Sequence, residues 1–348
     1  MGNRTKIIGG MFGLELTVLA AEGARVDKPT VLQGRCQMLA TARSALTLLV
    51  ETLRPAQAWL PSYLCDVMAE AVAHTGTPLC FYPVSADLQI TDEAWLRKVG
   101  RGDIVVFIDY FGFNAWESTA QKVRAAGAFV VEDACQAFLN DTFSAHSHFV
   151  IASPRKFIGV PDGGVLLARP GVQLPSITLA PPPSEWWFDA FAATLQRGEF
   201  DRHGGDRKWF ELFRRFDPNG PLHPHAMSEF SVQLLARFDY AEIARRRRAN
   251  YEFLLSELGP LALFTRLPNG VVPLGFPVRL AGRDRVRQAL FAADIFPPVH
   301  WPLGGAVPET FIESHRLARE ITTLPCDQRY DESDMKRLVS CLRRVLGS

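Results

Sequence analysis

Two apolar runs, residues 128–131 and 149–152, each have the character of a buried strand, and each ends in side chains able to do chemistry. The first ends in Glu132-Asp133 and the second in Ser153-Pro154-Arg155-Lys156, with a turn at Asp162-Gly163-Gly164 beyond. In parallel α/β sheets, ligands bind just past the carboxyl ends of the strands. One acid and one lysine delivered to such ends match the needs of pyridoxal phosphate (PLP). The lysine forms a Schiff base with its aldehyde, and the acid keeps its pyridine nitrogen protonated so that the ring acts as an electron sink. Lys156 and Asp133 are read as that pair. Taken singly, Asp133 reads as a cap on a helix beginning at Ala134, and Lys156 as a solvated loop residue. Their joint placement after two strands, with phosphate-type donors nearby, favours the chemistry.

Those donors are specific residues. Ser153 stands three before Lys156, where its hydroxyl reaches a phosphate while the lysine reaches the aldehyde, and Arg155 offers a further cation or faces outward. A phosphate also suits a helix N-terminus with free backbone N–H groups. Thr41-Ala42-Arg43-Ser44 opens the first strong helical pattern and would serve, although the same residues also make an ordinary Thr/Ser cap. Gln136 lies three after Asp133 and shares its face if a helical turn starts at Ala134. It would then reach the cofactor's phenolic oxygen or ring.

Elements must hold these groups. Strand-like runs at 36–40, 58–60, 79–84, 103–109, 128–131 and 149–152 alternate with helical patterns at 42–53, 66–74, 92–99 and 117–126. Such alternation argues for a parallel, doubly wound sheet. Pro170, Pro175 and Pro181-Pro182-Pro183 then bound a stretch read as a connector or flap over 170–210. It contains an amphipathic piece at 186–195 and a polar, glycine-bearing run at 197–207. A helical pattern at 227–258, with Ser228 as cap, reads as one bridge between domains. Short strands and helices follow, with a strand at 271–280 and helices at 283–292 and 332–345. The expected organisation is a large domain over 1–226, the bridge over 227–258 and a small α+β domain over 259–348.

Composition excludes several classes. The 348 residues carry 38 Lys and Arg against 37 acids, a net charge of +1, with no clustered basic surface for nucleic acid. The six cysteines are scattered without zinc spacing, which fits a reducing compartment and predicts no metal site. Arg4 and Lys6 precede an apolar run at 7–21, but Glu15 and three glycines interrupt it, which disfavours a signal peptide. No apolar run is long enough for a membrane span. A cytoplasmic protein is expected.

The motifs resemble the DegT-type PLP-dependent sugar aminotransferases, of fold type I. The residues that carry the likeness are Thr41-Ala42-Arg43-Ser44-Ala45-Leu46, Pro61-Ser62-Tyr63, Tyr110-Phe111-Gly112, Glu132-Asp133-Ala134-Cys135-Gln136, Lys156 with Gly163-Gly164, Met227-Ser228-Glu229 with Arg246-Arg247-Arg248, and Leu324-Pro325. The resemblance implies a mostly parallel central sheet with helices on both faces, plus a smaller C-terminal α+β domain. It also implies a homodimer with active sites at the subunit interface, and ping-pong transfer of an amino group from glutamate to a keto-sugar nucleotide, as in polysaccharide biosynthesis. Three positions depart from the family. Cys65 stands where many relatives stack an aromatic on the ring, which passes that role to Tyr63 or to something smaller. Ile151 stands at the usual phosphate serine. His225 lies in the segment where relatives place an asparagine for the neighbouring subunit's phosphate. Candidate substrate contacts are Arg202 and His203, in the variable flap, and His300, where relatives tend to have a histidine. The Trp186-Trp187-Phe188 cluster reads as packing or dimer interface, and Arg245–Arg248 as an exposed helix face. Lys156 argues against the dehydratase branch, which carries histidine there. A non-catalytic PLP-fold protein acting as a binding partner is the competing reading.

Overall fold

In the computed structural model, which describes residues 6–20, 27–174 and 177–347, the apolar runs assemble into a seven-stranded sheet. Arg4, Ala21 and Pro175, which entered the sequence reading, lie outside the described residues. The chain begins with β1 (Ile8–Gly9) and α1 (Leu16–Ala20), followed by β2 (Arg35–Leu39), α2 (Ala42–Leu53), β3 (Ala58–Pro61), α3 (Asp66–His74) and β4 (Leu79–Tyr82). Next come β5 (Ile104–Ile108), α4 (Glu117–Ala125), β6 (Phe129–Asp133), β7 (Phe149–Ala152) and β8 (Gly164–Ala168). Two helices, α5 (Ser184–His203) and α6 (Lys208–Phe216), form a hairpin, and α7 (Glu229–Leu235) and α8 (Tyr240–Leu258) follow it. The last elements are β9 (Phe276–Arg279), α9 (Arg283–Phe291), β10 (Ile295–Phe296), α10 (Ile312–Glu320), β11 (Ile321–Leu324) and α11 (Glu332–Leu346).

The sheet order is β2-β8-β7-β6-β5-β3-β4, parallel from β4 through β7, with β8 antiparallel to both β7 and β2. Every residue of β5 is buried, as expected of a central strand covered on both faces. Two small sheets, β1 with β10 and β9 with β11, sit outside it. Among the described residues no helix is long and apolar enough to cross a membrane.

Several expected elements change. Residues 92–99 form only a short 3-10 helix, Ala94–Lys98, in which Trp95 alone is buried, too little apolar surface to hold a longer helix. The bridge at 227–258 is two helices. α7 ends at Leu235, and Asp239 starts α8 afresh by accepting the Glu242 N–H at 3.0 Å. Ser228 does cap, accepting the Ser231 N–H at 3.2 Å. The stretch at 170–210 holds a long helix rather than a connector, and α5 continues through Gly198. That glycine is a packing device, because a Cβ there would come within 2.4 Å of the Leu14 carbonyl oxygen. The Arg245–Arg248 run is not one exposed face. Arg245 is exposed and paired with Glu242, whereas Arg247 is fully buried and donates to Gln328 and to the Pro273, Leu274 and Phe157 carbonyls.

Candidate active site

A cavity of about 650 Å³ opens beyond the carboxyl ends of β6 and β7, and both Asp133 and Lys156 line it. Asp133 ends β6, and its Oδ1 accepts the Cys135 N–H at 2.9 Å, which fixes the carboxylate. Residues 134–140 then form consecutive tight turns, Ala137 N–H to Ala134 O and Asn140 N–H to Ala137 O, instead of a helix. Gln136 therefore does not share a helical face with Asp133 and lies off the cavity wall. Its Oε1 accepts the Phe111 N–H at 2.6 Å, and its buried Nε2 has no partner among the described residues.

Lys156 closes a 3-10 turn, Pro154–Lys156, that follows β7 directly. Its Nζ lies 6.0 Å from the Trp301 ring centroid. Ser153 and Arg155 line the same cavity, and Arg155 donates to Asp217 Oδ1 at 2.8 Å. Arg155 thus faces inward, resolving its two readings.

Helix α2 points its N-terminus at this end. Thr41, Ala42 and Arg43 line the cavity, and Thr41 caps the helix by accepting the Ser44 N–H at 3.1 Å. The first turn of any helix leaves backbone N–H groups without intrahelical partners. Gly163-Gly164 lets the sheet approach closely, since a Cβ at Gly164 would sit 2.2 Å from the Thr41 carbonyl carbon. Ser44 is turned away from the cavity into the core, where its hydroxyl donates to Thr41 O at 2.8 Å. Arg43 donates to the Asp217 and Pro218 carbonyls at 3.0 Å each, and its burial depresses its pKa.

Cys65 lines the cavity at the start of α3, and burial pushes its thiol up against the opposing pull of Lys156. Tyr63 does not reach the cavity. It is fully buried, accepts the Trp301 N–H at 2.7 Å and packs its ring 5.7 Å from that of Trp301. The aromatic that lines the cavity beside Lys156 is Trp301. The sequence reading singled out that dipeptide for His300 and passed over its neighbour. His300 also lines the cavity, with Nδ1 2.9 Å from Thr323 Oγ1. Burial, reinforced by Lys156, holds its pKa down at about 3, so the ring is neutral at neutral pH.

Three candidates lie elsewhere. Arg202 and His203 end α5 on the surface, both beside Glu199, and border a second cavity of about 810 Å³ that meets the first at Ile7, Arg197 and Arg329. The α5 helix continues past the expected break and carries them away from Lys156. His225 also misses the site, with Nδ1 2.9 Å from Pro181 O and its own carbonyl accepting the Ala40 N–H. Arg207, in the same run as Arg202, does line the cavity. Sequence reading missed the α6 contribution of Trp209, Phe210 and Phe213, although Trp209, Leu212, Phe213 and Phe216 recur at helical spacing.

No family model matches the sequence, and no curated protein matches it. Solved structures do. Spr1654 from Streptococcus pneumoniae in its PLP form is 15% identical at a TM-score of 0.69, over 97% of this chain and 98% of that one. A DegT DnrJ EryC1 StrS aminotransferase from Brucella abortus is 15% identical at 0.62, over 90% and 86%. The sugar aminotransferase CalS13 from Micromonospora echinospora is 15% identical at 0.63, over 98% and 99%. Across nearly its whole length, then, this chain has the fold of these aminotransferases, the fold-type-I architecture that its motifs led us to expect.

Proposed function

We propose that the chain is a PLP-dependent aminotransferase that moves an amino group from glutamate to a keto sugar, nucleotide-linked, and that it works as a cytoplasmic homodimer. The observation that carries this reading is the convergence of Lys156 and Asp133 on one cavity beyond adjacent strand ends, with the N-terminus of α2 facing the same space. The donor set suits the cofactor. An amine, a carboxylate and a phosphate-type cluster of Ser153, Arg155 and the α2 N-terminus stand together. When bound, PLP supplies an electron sink that makes the proton next to the transferred nitrogen acidic.

The remaining chemistry belongs to the chain. Lys156 Nζ is the group placed to hold the cofactor and to carry a proton between the two carbons of the transfer. The Asp133 carboxylate, held by the Cys135 N–H, would fix the charge on the ring nitrogen. The neutral His300 does not compete with Lys156 as a cation and leaves a ring edge facing the cavity. Trp301 offers an aromatic face beside Lys156, in the role relatives give to a residue at the Cys65 position.

The test is the near-ultraviolet and visible absorbance of the purified protein with PLP, before and after glutamate, with Lys156→Ala as control. A cofactor band that requires Lys156 and converts on addition of glutamate supports the proposal. A lysine-dependent band that ignores every amino donor favours the non-catalytic reading. Absence of any lysine-dependent band overturns the cofactor assignment.

A further inference from the structure

One end of the cavity is built by a part of the chain that amino transfer at Lys156 does not use. Trp209, Phe213 and Asp217 line the cavity at four-residue spacing along α6 and its C-cap. At 1.5 Å per residue this wall is about 12 Å long. Arg155 and Arg43 contact its Asp217 end, beside the start of α2. At its Trp209 end lies Arg197 of α5, with its guanidinium 4.6 Å from the Trp209 ring centroid.

Among the described residues, two donors at this end find no acceptor. Arg197 is 1% exposed; its Nε is bound by Asp201 and its Nη2 donates to Gly9 O at 3.1 Å, but its Nη1 has no acceptor. Trp209 is 6% exposed, and its Nε1 also has no acceptor. Buried donors are nearly always paired in folded proteins, so two orphans on touching side chains point to a ligand acceptor. Gly10 lies against both side chains, since a Cβ there would come within 2.5 Å of Arg197 Nη1 and 3.3 Å of Trp209 Cη2. The cavity wall as a whole carries six cationic side chains (Arg43, Arg155, Lys156, Arg197, Arg207, Arg329) against three carboxylates (Asp133, Asp217, Asp327). At the Trp209 end Arg197, Arg207 and Arg329 are each paired with one carboxylate, Asp201, Asp294 and Asp327, so the capacity left for an anion is the unpartnered Nη1 of Arg197 beside the Trp209 Nε1.

We propose that the Trp209 end binds an anionic group of the acceptor substrate, a carboxylate or a phosphate, through Arg197 Nη1 and Trp209 Nε1, with the Gly9-Gly10 backbone moving off them. This rests on the reading of the Lys156 end as the site of amino transfer. The experiment titrates the PLP-loaded protein calorimetrically with inorganic pyrophosphate and, separately, with succinate. It uses the wild type, Trp209→Phe and Arg197→Lys, and cofactor absorbance is recorded on each sample. Trp209→Phe keeps an aromatic ring under the guanidinium and removes the N–H. One probe is expected to bind the wild type, and Trp209→Phe to weaken it about tenfold, the loss of one hydrogen bond to a charged group. Arg197→Lys is expected to weaken it at least as much, with cofactor absorbance retained in both variants. Tighter binding of pyrophosphate assigns a phosphate source, and tighter binding of succinate a carboxylate. No binding of either probe, or the same affinity in wild type and Trp209→Phe, overturns the subsite. If the wild type takes up no PLP, the transamination reading fails, and the same comparison on the unloaded protein still decides the subsite.

Discussion

The two ends of the cavity are held by different kinds of structure. At the Lys156 end Asp133, Ser153, Arg155 and Lys156 each sit on, or within four residues of, a strand terminus, and the parallel register of β6 with β7 sets the spacing between them. At the Trp209 end the side chains come from a helical hairpin that no strand ladder joins to the sheet. Its two helices are joined to one another by Trp186 Nε1 to Phe216 O at 2.9 Å, and α5 is tied down by a side-chain bond from Trp187 Nε1 to Asp162 Oδ1 at 3.2 Å. A backbone ladder changes little with sequence, whereas a hairpin fastened by side chains is free to diverge. On the proposed function, the chemistry belongs at the first end and the choice of substrate at the second.

The largest effect expected from that contrast is at Lys156. Lys156→Ala should abolish both the cofactor band and amino transfer while leaving circular dichroism unchanged, because the side chain is half-buried on the cavity wall and closes no core. Residual turnover at the wild-type rate would remove Lys156 from the mechanism. Next is Asp133→Asn, which keeps the acceptor for the Cys135 N–H and discards the charge. Rate should fall about 10²–10³-fold, the usual scale for removing one charge-stabilising group, with anion binding at the Trp209 end unaffected. Turnover within a few-fold of wild type would show that the carboxylate does not set the ring charge.

This contrast also explains what the sequence made legible. Helices α2 and α3 and strand β7 fall at the residues expected, since an apolar period and a clean cap or break mark each of them. Lys156, Asp133, Ser153 and Arg43 could be found for the same reason, as their chemistry follows local strand and helix ends. The Trp209 end could not be assembled that way. Its parts are Gly10, Arg197 and Trp209, and the glycine inside α5 reads as a break until Leu14 is seen packed against it. Tyr63 failed differently. The sequence shows an aromatic near the right position, but only the packing of Trp301 over it decides which ring faces the cavity.

Asp162 is the joint between the two ends, and its removal should have the next largest effect. Its buried carboxylate accepts from Ser228 N–H at 2.7 Å, from the Ser228 and Ser231 hydroxyls at 2.5 Å each, and from the α5 indole of Trp187. Asp162→Ala leaves several buried donors unpaired and should cost on the order of 3 kcal/mol, read as a lower denaturant midpoint. If the hairpin depends on this joint while the sheet does not, the cofactor band should persist in folded Asp162→Ala as pyrophosphate or succinate binding weakens. Equal loss of both would show that the two ends form one cooperative unit.

The smallest effect separates the faces of the sheet itself. Glu132 and Asp133 are neighbours on β6 and so point to opposite faces. Glu132 is buried and accepts from the Ser144 N–H and, at 2.6 Å, from the Ser147 hydroxyl. Burial lifts its pKa from 4.5 to about 7, and the adjacent Asp109 is also pushed up, by burial and then by Glu132. Between about pH 4.5 and 7 the folded state therefore holds a proton that the unfolded chain has released, and stability should fall as pH rises through that window. One such proton contributes a slope of at most about 1.4 kcal/mol per pH unit. His300 has the opposite sign: its pKa is lowered from 6.5 to about 3, so its share of stability is lost as pH falls through that range. The two slopes oppose one another between about pH 4.5 and 6.5, so the wild-type curve alone cannot separate them. Glu132→Gln should remove the first, together with the part of the Asp109 shift that Glu132 causes, and leave the His300 slope in place. The difference between wild-type and variant unfolding free energies should then change steadily from pH 4.5 to 7. Parallel curves across that range would mean that Glu132 is ionised throughout, so that the back face of β6 stores no proton behind the site.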